Sequence, residues 1–147
     1  MPFTGLDAWL RPRAADELFS GVVLIRRGDT TVFSGAYGWA SRRWAVPVSP
    51  DTRFDTDLVR FGPAVRAGRL LSAELTEQFL TPQVLHHQRE DRAVWCGFGL
   101  EFVTDRNGRR VRNHHKDGGS PGVSGILRYC PAGQLDVAVL SNSGRGA

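Results

Sequence analysis

Four histidines, two cysteines, one lysine and a few serines carry most of the chemistry available to this 147-residue chain. The most suggestive run is Gly118-Gly119-Ser120-Pro121-Gly122. It fits Gly-x-Ser-x-Gly, the sharp turn that lifts a nucleophilic serine between a strand and a helix. Three features reject that use. Val123 onward reads as a strand, so the helix is missing. Half of the oxyanion hole would be the N–H of the residue after the serine, and Pro121 has none. An acid and then a histidine should follow Ser120, yet no histidine lies beyond His115. Ser120 is therefore expected in a loop.

The histidines form two adjacent pairs, His86-His87 and His114-His115. Neighbours on a strand point to opposite faces, so neither pair is expected to chelate one ion. Cys96 and Cys130 are too few and too far apart for a disulfide framework or a Cys-x-x-Cys knuckle, and two buried thiols are the default reading. No metal and no cofactor is expected.

The elements that would position these residues follow from periodicity. Leu6, Trp9, Leu10 and Leu18 give Gly5 to Leu18 a helical face, with Pro12 near its start or interrupting it. Ser20 to Arg26 and Thr31 to Tyr37 read as a hairpin about Gly28-Asp29. Trp39 to Phe54 reads as irregular. Leu58, Phe61 and Val65 predict a helix from Asp57 to Ala67 ending at Gly68, although Gly62-Pro63 suits a straight helix poorly. Ser72 is placed to cap a short helix through Phe79. Ala93 to Val103, Arg110 to His115, Val123 to Tyr129 and Leu135 to Leu140 read as four closing strands, with Asn107-Gly108 a hairpin turn and Gly118 to Gly122 a loop. Strand runs on either side of a helical segment predict an α+β fold, an antiparallel sheet with flanking helices.

Composition narrows the function classes. Hydrophobic content of 41% and charged content of 23% are ordinary for a globular domain. The charge of +4 rests on eighteen arginines and one lysine. They are scattered in pairs such as Arg26-Arg27, Arg42-Arg43 and Arg109-Arg110, which suits solvated strand ends more than a nucleic-acid surface. No run of eighteen apolar residues predicts a membrane span. The first residues lack the basic end and apolar run of a secretory signal, so a cytoplasmic location is expected.

Three segments together resemble the β-lactamase-like serine hydrolases, the family of class C β-lactamases, D-alanyl-D-alanine peptidases and related esterases. Phe19 to Phe54 (FSGVVLIRRGDTTVFSGAYGWASRRWAVPVSPDTRF) is similar to the family's opening hairpin and the turn into its active site. Asp57 to Gln83 (DLVRFGPAVRAGRLLSAELTEQFLTPQ) resembles its late helical segment. Gly97 to Asn142, with GFGLEF, HKDGGSPGVSGILRYCP and LDVAVLSN, resembles its closing strands. The segments stand in the family's order and cover most of the chain.

Within the third segment, Lys116-Asp117-Gly118 falls where the family carries Lys-Thr-Gly or His-x-Gly, on the strand that edges the active site. The resemblance makes Lys116 the electrostatic residue of a substrate groove. It makes Gly118-Gly119 the place where substrate nears the backbone. Asp117 stands where a hydroxyl residue is usual, and a carboxylate there would weaken an anion site. The alternative reading is that Lys116 only caps an exposed strand end.

The family's nucleophile is a Ser-x-x-Lys that opens a helix soon after Arg-Phe; the lysine one turn on takes the serine's proton. Here Arg53-Phe54-Asp55-Thr56 runs at once into Asp57-Leu58-Val59-Arg60. Lys116 is the sole lysine and Asn113 stands three residues before it, so the chain holds no Ser-x-x-Lys. The second family motif, Tyr-x-Asn or Ser-x-Asn, is also absent from the sequence. The resemblance thus implies one truncated domain: residues 1–56 with the first hairpin, 57–147 with the late helices and closing strands, and a deletion junction at 56/57. The all-helical domain and a C-terminal helix are not expected in it. The expected function is an inactive remnant without catalytic residues. The alternatives are a binding module that uses the exposed sheet edge, through self-association or a partner chain, and half of a complemented hydrolase of β-lactam, peptide or ester bonds.

Overall fold

The computed structural model describes residues 3–52 and 58–142. The expected junction at 56/57 lies outside the described residues. Among the described residues, ten strands and three α-helices follow in the order α1 (Thr4–Ala15), β1 (Gly21–Arg27), β2 (Thr30–Tyr37), β3 (Trp39–Ser41), β4 (Val46–Pro47), α2 (Leu58–Arg66), α3 (Ala73–Phe79), β5 (Val84–Gln88), β6 (Arg92–Cys96), β7 (Glu101–Asp105), β8 (Val111–Ser120), β9 (Val123–Cys130) and β10 (Leu135–Ser141). Eight of the strands form one antiparallel sheet in the order β2-β1-β10-β9-β8-β7-β6-β5, and β3 pairs with β4 apart from it. The expected α+β class holds.

Strand alternation divides the sheet into two faces. Val23 and Ile25 of β1 stand opposite Val139 and Val137 of β10, and Phe33 and Tyr37 of β2 share their face. Leu10 of α1 lies on these residues with Phe19, making the apolar core of that side. The phenol of Tyr37 crosses Gly35, where a Cβ would collide with it, so this position admits no side chain. Tyr37 Oη donates to Asp7 Oδ1 at 2.9 Å, which ties α1 to β2, and Arg11 Nε of the same helix donates to Asp7 Oδ2 at 2.6 Å. The opposite face carries Ala138 and Asp136 of β10 with Leu127 and Tyr129 of β9, and α2 packs there.

Helix ends follow local chemistry. Gly68 (φ +65°) closes α2 in a Schellman turn, with Arg69 N–H on the Ala64 carbonyl and Gly68 N–H on that of Val65. Ser72 caps α3 by accepting from Leu75 N, as its sequence suggests. Glu17 closes α1 in the same turn as Gly68 but as a non-glycine at φ +58°.

Several expectations need correction. Pro12 and Pro63 interrupt neither helix; each lies inside one. Ala93 to Val103 is two strands, β6 and β7, because the Gly97–Leu100 stretch turns, with Gly97 N donating to Leu100 O. The closing strands number six with β5. Trp39 to Phe54 includes the small β3–β4 hairpin. Gly118 to Ser120 are the end of β8 rather than a loop, and only Pro121-Gly122 turns the chain (Gly122 φ +86°). Cys96 and Cys130 are free and half-buried, not fully buried. No described helix is long and apolar enough to cross a membrane.

Candidate functional site

β8 is the strand on which the candidate residues sit. Its partner β9 follows it from His114↔Tyr129 to Ser120↔Val123, whereas pairing with β7 ends at Glu101↔His115. Residues 116–120 therefore run beyond β7 with one edge unmatched by a neighbouring strand among the described residues, a position where an extended chain can add hydrogen bonds.

Along this segment the side chains alternate. Lys116 opposes Leu127 and Gly118 opposes Gly125, on the face covered by α2. Asp117 opposes Ile126 on the other face, so its carboxylate does not stand beside Lys116. Lys116 is exposed, with no ion-pair or hydrogen-bond partner among the described residues. A Cβ at Gly118 would meet nothing within 4 Å, so packing does not demand glycine here. At Gly119 it would come within 3.3 Å of the Val123 carbonyl oxygen.

Beside Lys116 a cavity of about 120 Å³ opens between the helices and the sheet. Phe61 and Val65 of α2, Phe79 of α3, Leu100, Leu127 and His114 line it with mostly apolar surface. Its rear is fixed by a node that sequence reasoning missed. Arg66 Nη2, in the last turn of α2, donates to both oxygens of Asp136, at 2.8 and 2.6 Å. The Asp136 side chain is only 3% exposed, and the Arg66 guanidinium lies 3.7 Å over the Tyr129 ring. His114 packs its ring against Phe102 and Tyr129, at 5.5 and 5.3 Å between centroids. Burial, then the nearby Arg66 and His115, press its pKa down to about 4, so it is a neutral ring in an apolar wall. An arginine four-fifths buried at a helix end has no local sequence signature; only the long-range pairing with β10 makes it legible.

His115, on the other face, stands 3.5 Å from Glu101 across the strand pair. Burial, ahead of the Arg128 charge, lowers its pKa. The pair His114-His115 thus splits between faces, as alternation requires. His86-His87 does not. β5 carries a bulge between Leu85 and His87, and the two rings come together with their Nδ1 atoms 3.1 Å apart. Among the described residues no group of three or more His, Cys, Asp or Glu could hold a metal ion.

The geometry at β8 offers a cation, an unmatched strand edge and an apolar recess, which together can hold an extended ligand with an acidic group. No family model matches the chain, and no curated protein matches it. Among solved structures, the crystal structure of a penicillin binding protein from Bacillus halodurans is similar, with 26% identity and a TM-score of 0.52. The likeness covers 62% of this chain and 26% of that one, so the chain spans about a quarter of the length of the protein it matches. The partial match supports a penicillin-binding-protein or β-lactamase-like fold and a distant relation to proteins of that kind.

Proposed function

We propose that the chain is the sheet portion of a β-lactamase-like serine hydrolase scaffold and performs no acyl transfer by itself. The observation that carries this reading is the pairing of a penicillin-binding-protein-like sheet with a sequence that holds no Ser-x-x-Lys. In such a scaffold the serine nucleophile is activated by an adjacent base, and the amine one helical turn away belongs to that machinery. The sole lysine, Lys116, lies on a strand. The proposed junction at 56/57, where the family resemblance puts the helical domain that would carry the nucleophile, belongs to the same reading.

Incubation of the purified chain with a fluorescent penicillin and with nitrocefin tests it. The expected outcome is no labelled band, no mass increment equal to a ring-opened β-lactam and no turnover above buffer. A covalent adduct on any side chain, or hydrolysis abolished by a serine-directed inactivator, overturns it.

A second reading, a binding module, draws on the recess beside Lys116. The cation at its rim and the unmatched edge of residues 116–120 suit a peptide with an acidic terminus. A titration of the ¹⁵N-labelled chain with an acetylated D-alanyl-D-alanine dipeptide distinguishes the readings. Saturable shifts confined to residues 114–120, abolished in Lys116→Gln, favour the module; their absence at millimolar ligand rejects it.

A further inference from the structure

β5 closes one end of the sheet, and all five of its residues are exposed. It pairs with β6 as Val84↔Cys96, Leu85↔Trp95, His87↔Val94 and Gln88↔Ala93. His86 is thus the extra residue of a bulge. A bulge breaks strict alternation: the residue inserted into the strand and its successor no longer point to opposite faces. That is the physical reason two adjacent histidines share one space here, with rings 5.0 Å apart at 70° and Nδ1 atoms at 3.1 Å.

We infer that the β5 bulge forms a bidentate imidazole site for a late first-row divalent cation, copper(II) foremost. The spacing fits. Two ring nitrogens each about 2.0–2.1 Å from one metal and at a near-right angle are about 3 Å apart. The two Nδ1 atoms stand at that separation, joined by a hydrogen bond whose proton a chelated cation would displace. Imidazole is a good ligand for copper, nickel and zinc, and the divalent affinity order peaks at copper. A cis pair of nitrogens suits the tetragonal geometry of copper(II) and nickel(II) better than the closed tetrahedron of a structural zinc site. Both rings are exposed and the outer edge of β5 has no strand partner among the described residues, so a cation held there keeps open positions for water or an added ligand. Imidazole ligates as the neutral ring, so binding competes with protons and weakens on acidification.

Copper(II) titration of the full chain at neutral pH, followed by electron paramagnetic resonance, tests the site. One copper per chain with hyperfine structure from two imidazole nitrogens is the expected result. His86→Gln and His87→Gln should each weaken binding at least about tenfold, and the double variant no more than slightly further, since loss of either ring destroys the chelate. Both rings are exposed, so unchanged circular dichroism should accompany these losses. Equal affinity in wild type and either single variant, or a two-nitrogen signal that survives the double variant, overturns the inference. Absence of binding to the wild type does so too.

Discussion

The two faces of the sheet hold their helices by different physics. Under α1 the contact is apolar: Leu10 and Phe19 on Val23, Ile25 and Tyr37, with polar groups only at the margin. There Tyr37 donates to Asp7 and, chiefly through burial, is pushed up to about 12. Under α2 the contact is organised around a buried charge pair, Arg66–Asp136, laid over Tyr129 and bordered by His114. Apolar burial is non-directional, while a buried charge pair carries a heavy penalty when one partner is lost. The face with the candidate groove is the one that carries the charge pair, and Lys116 is two residues along β8 from His114.

The largest effect should come from breaking the pair on one side. Asp136→Ala strands a mostly buried guanidinium and should cost about 3–5 kcal/mol in urea unfolding. Replacing both partners, Arg66→Met with Asp136→Leu, should recover most of that loss, because no charge remains to be desolvated. A double variant as unstable as Asp136→Ala would show the pair to be a net attraction that packing cannot replace. On the other face Leu10→Ala should cost about 2–4 kcal/mol and gain nothing from any charge substitution nearby.

Acid acts on both faces through His114 and His115. His114 binds a proton at an ordinary 6.5 when unfolded and at about 4 when folded. The unfolded chain therefore takes up more protons, and stability present above pH 6.5 falls as the pH drops toward 4. His115, also lowered, adds to the fall. His114→Phe should flatten that slope in melts between pH 7 and 4.5, whereas Leu10→Ala should shift the whole curve and leave the slope unchanged. The smallest effect belongs to the end of α1. Glu17→Gly relieves a left-handed non-glycine and loses only an exposed pair with Arg42 at 3.0 Å. It should stabilise by less than about 1 kcal/mol by thermal melting.

Much of the fold was legible in the residues because its signals are local. The Gly28-Asp29 and Asn107-Gly108 turns, the Ser72 cap and the Gly68 stop each depend on atoms within a few positions of one another. The late strands were less so. The turn within Ala93 to Val103 interrupts an apolar run that reads as one strand, and the end of β8 is a glycine-rich stretch that only pairing with β9 holds extended. Of the candidate site, Lys116 and Gly118 share a face of β8 while Asp117 and Gly119 take the other, a division that follows once the register is known.

By itself, then, the sequence determined the turns and helix ends named above and that no serine has a lysine one helical turn ahead, because both depend on neighbours along the chain. Only the tertiary structure decided that Arg66 meets Asp136 across seventy residues, that Lys116 stands beside an apolar recess, and that His86 and His87 converge. Each of these depends on strand register or on a bulge, and register is set by which distant strand supplies the partner.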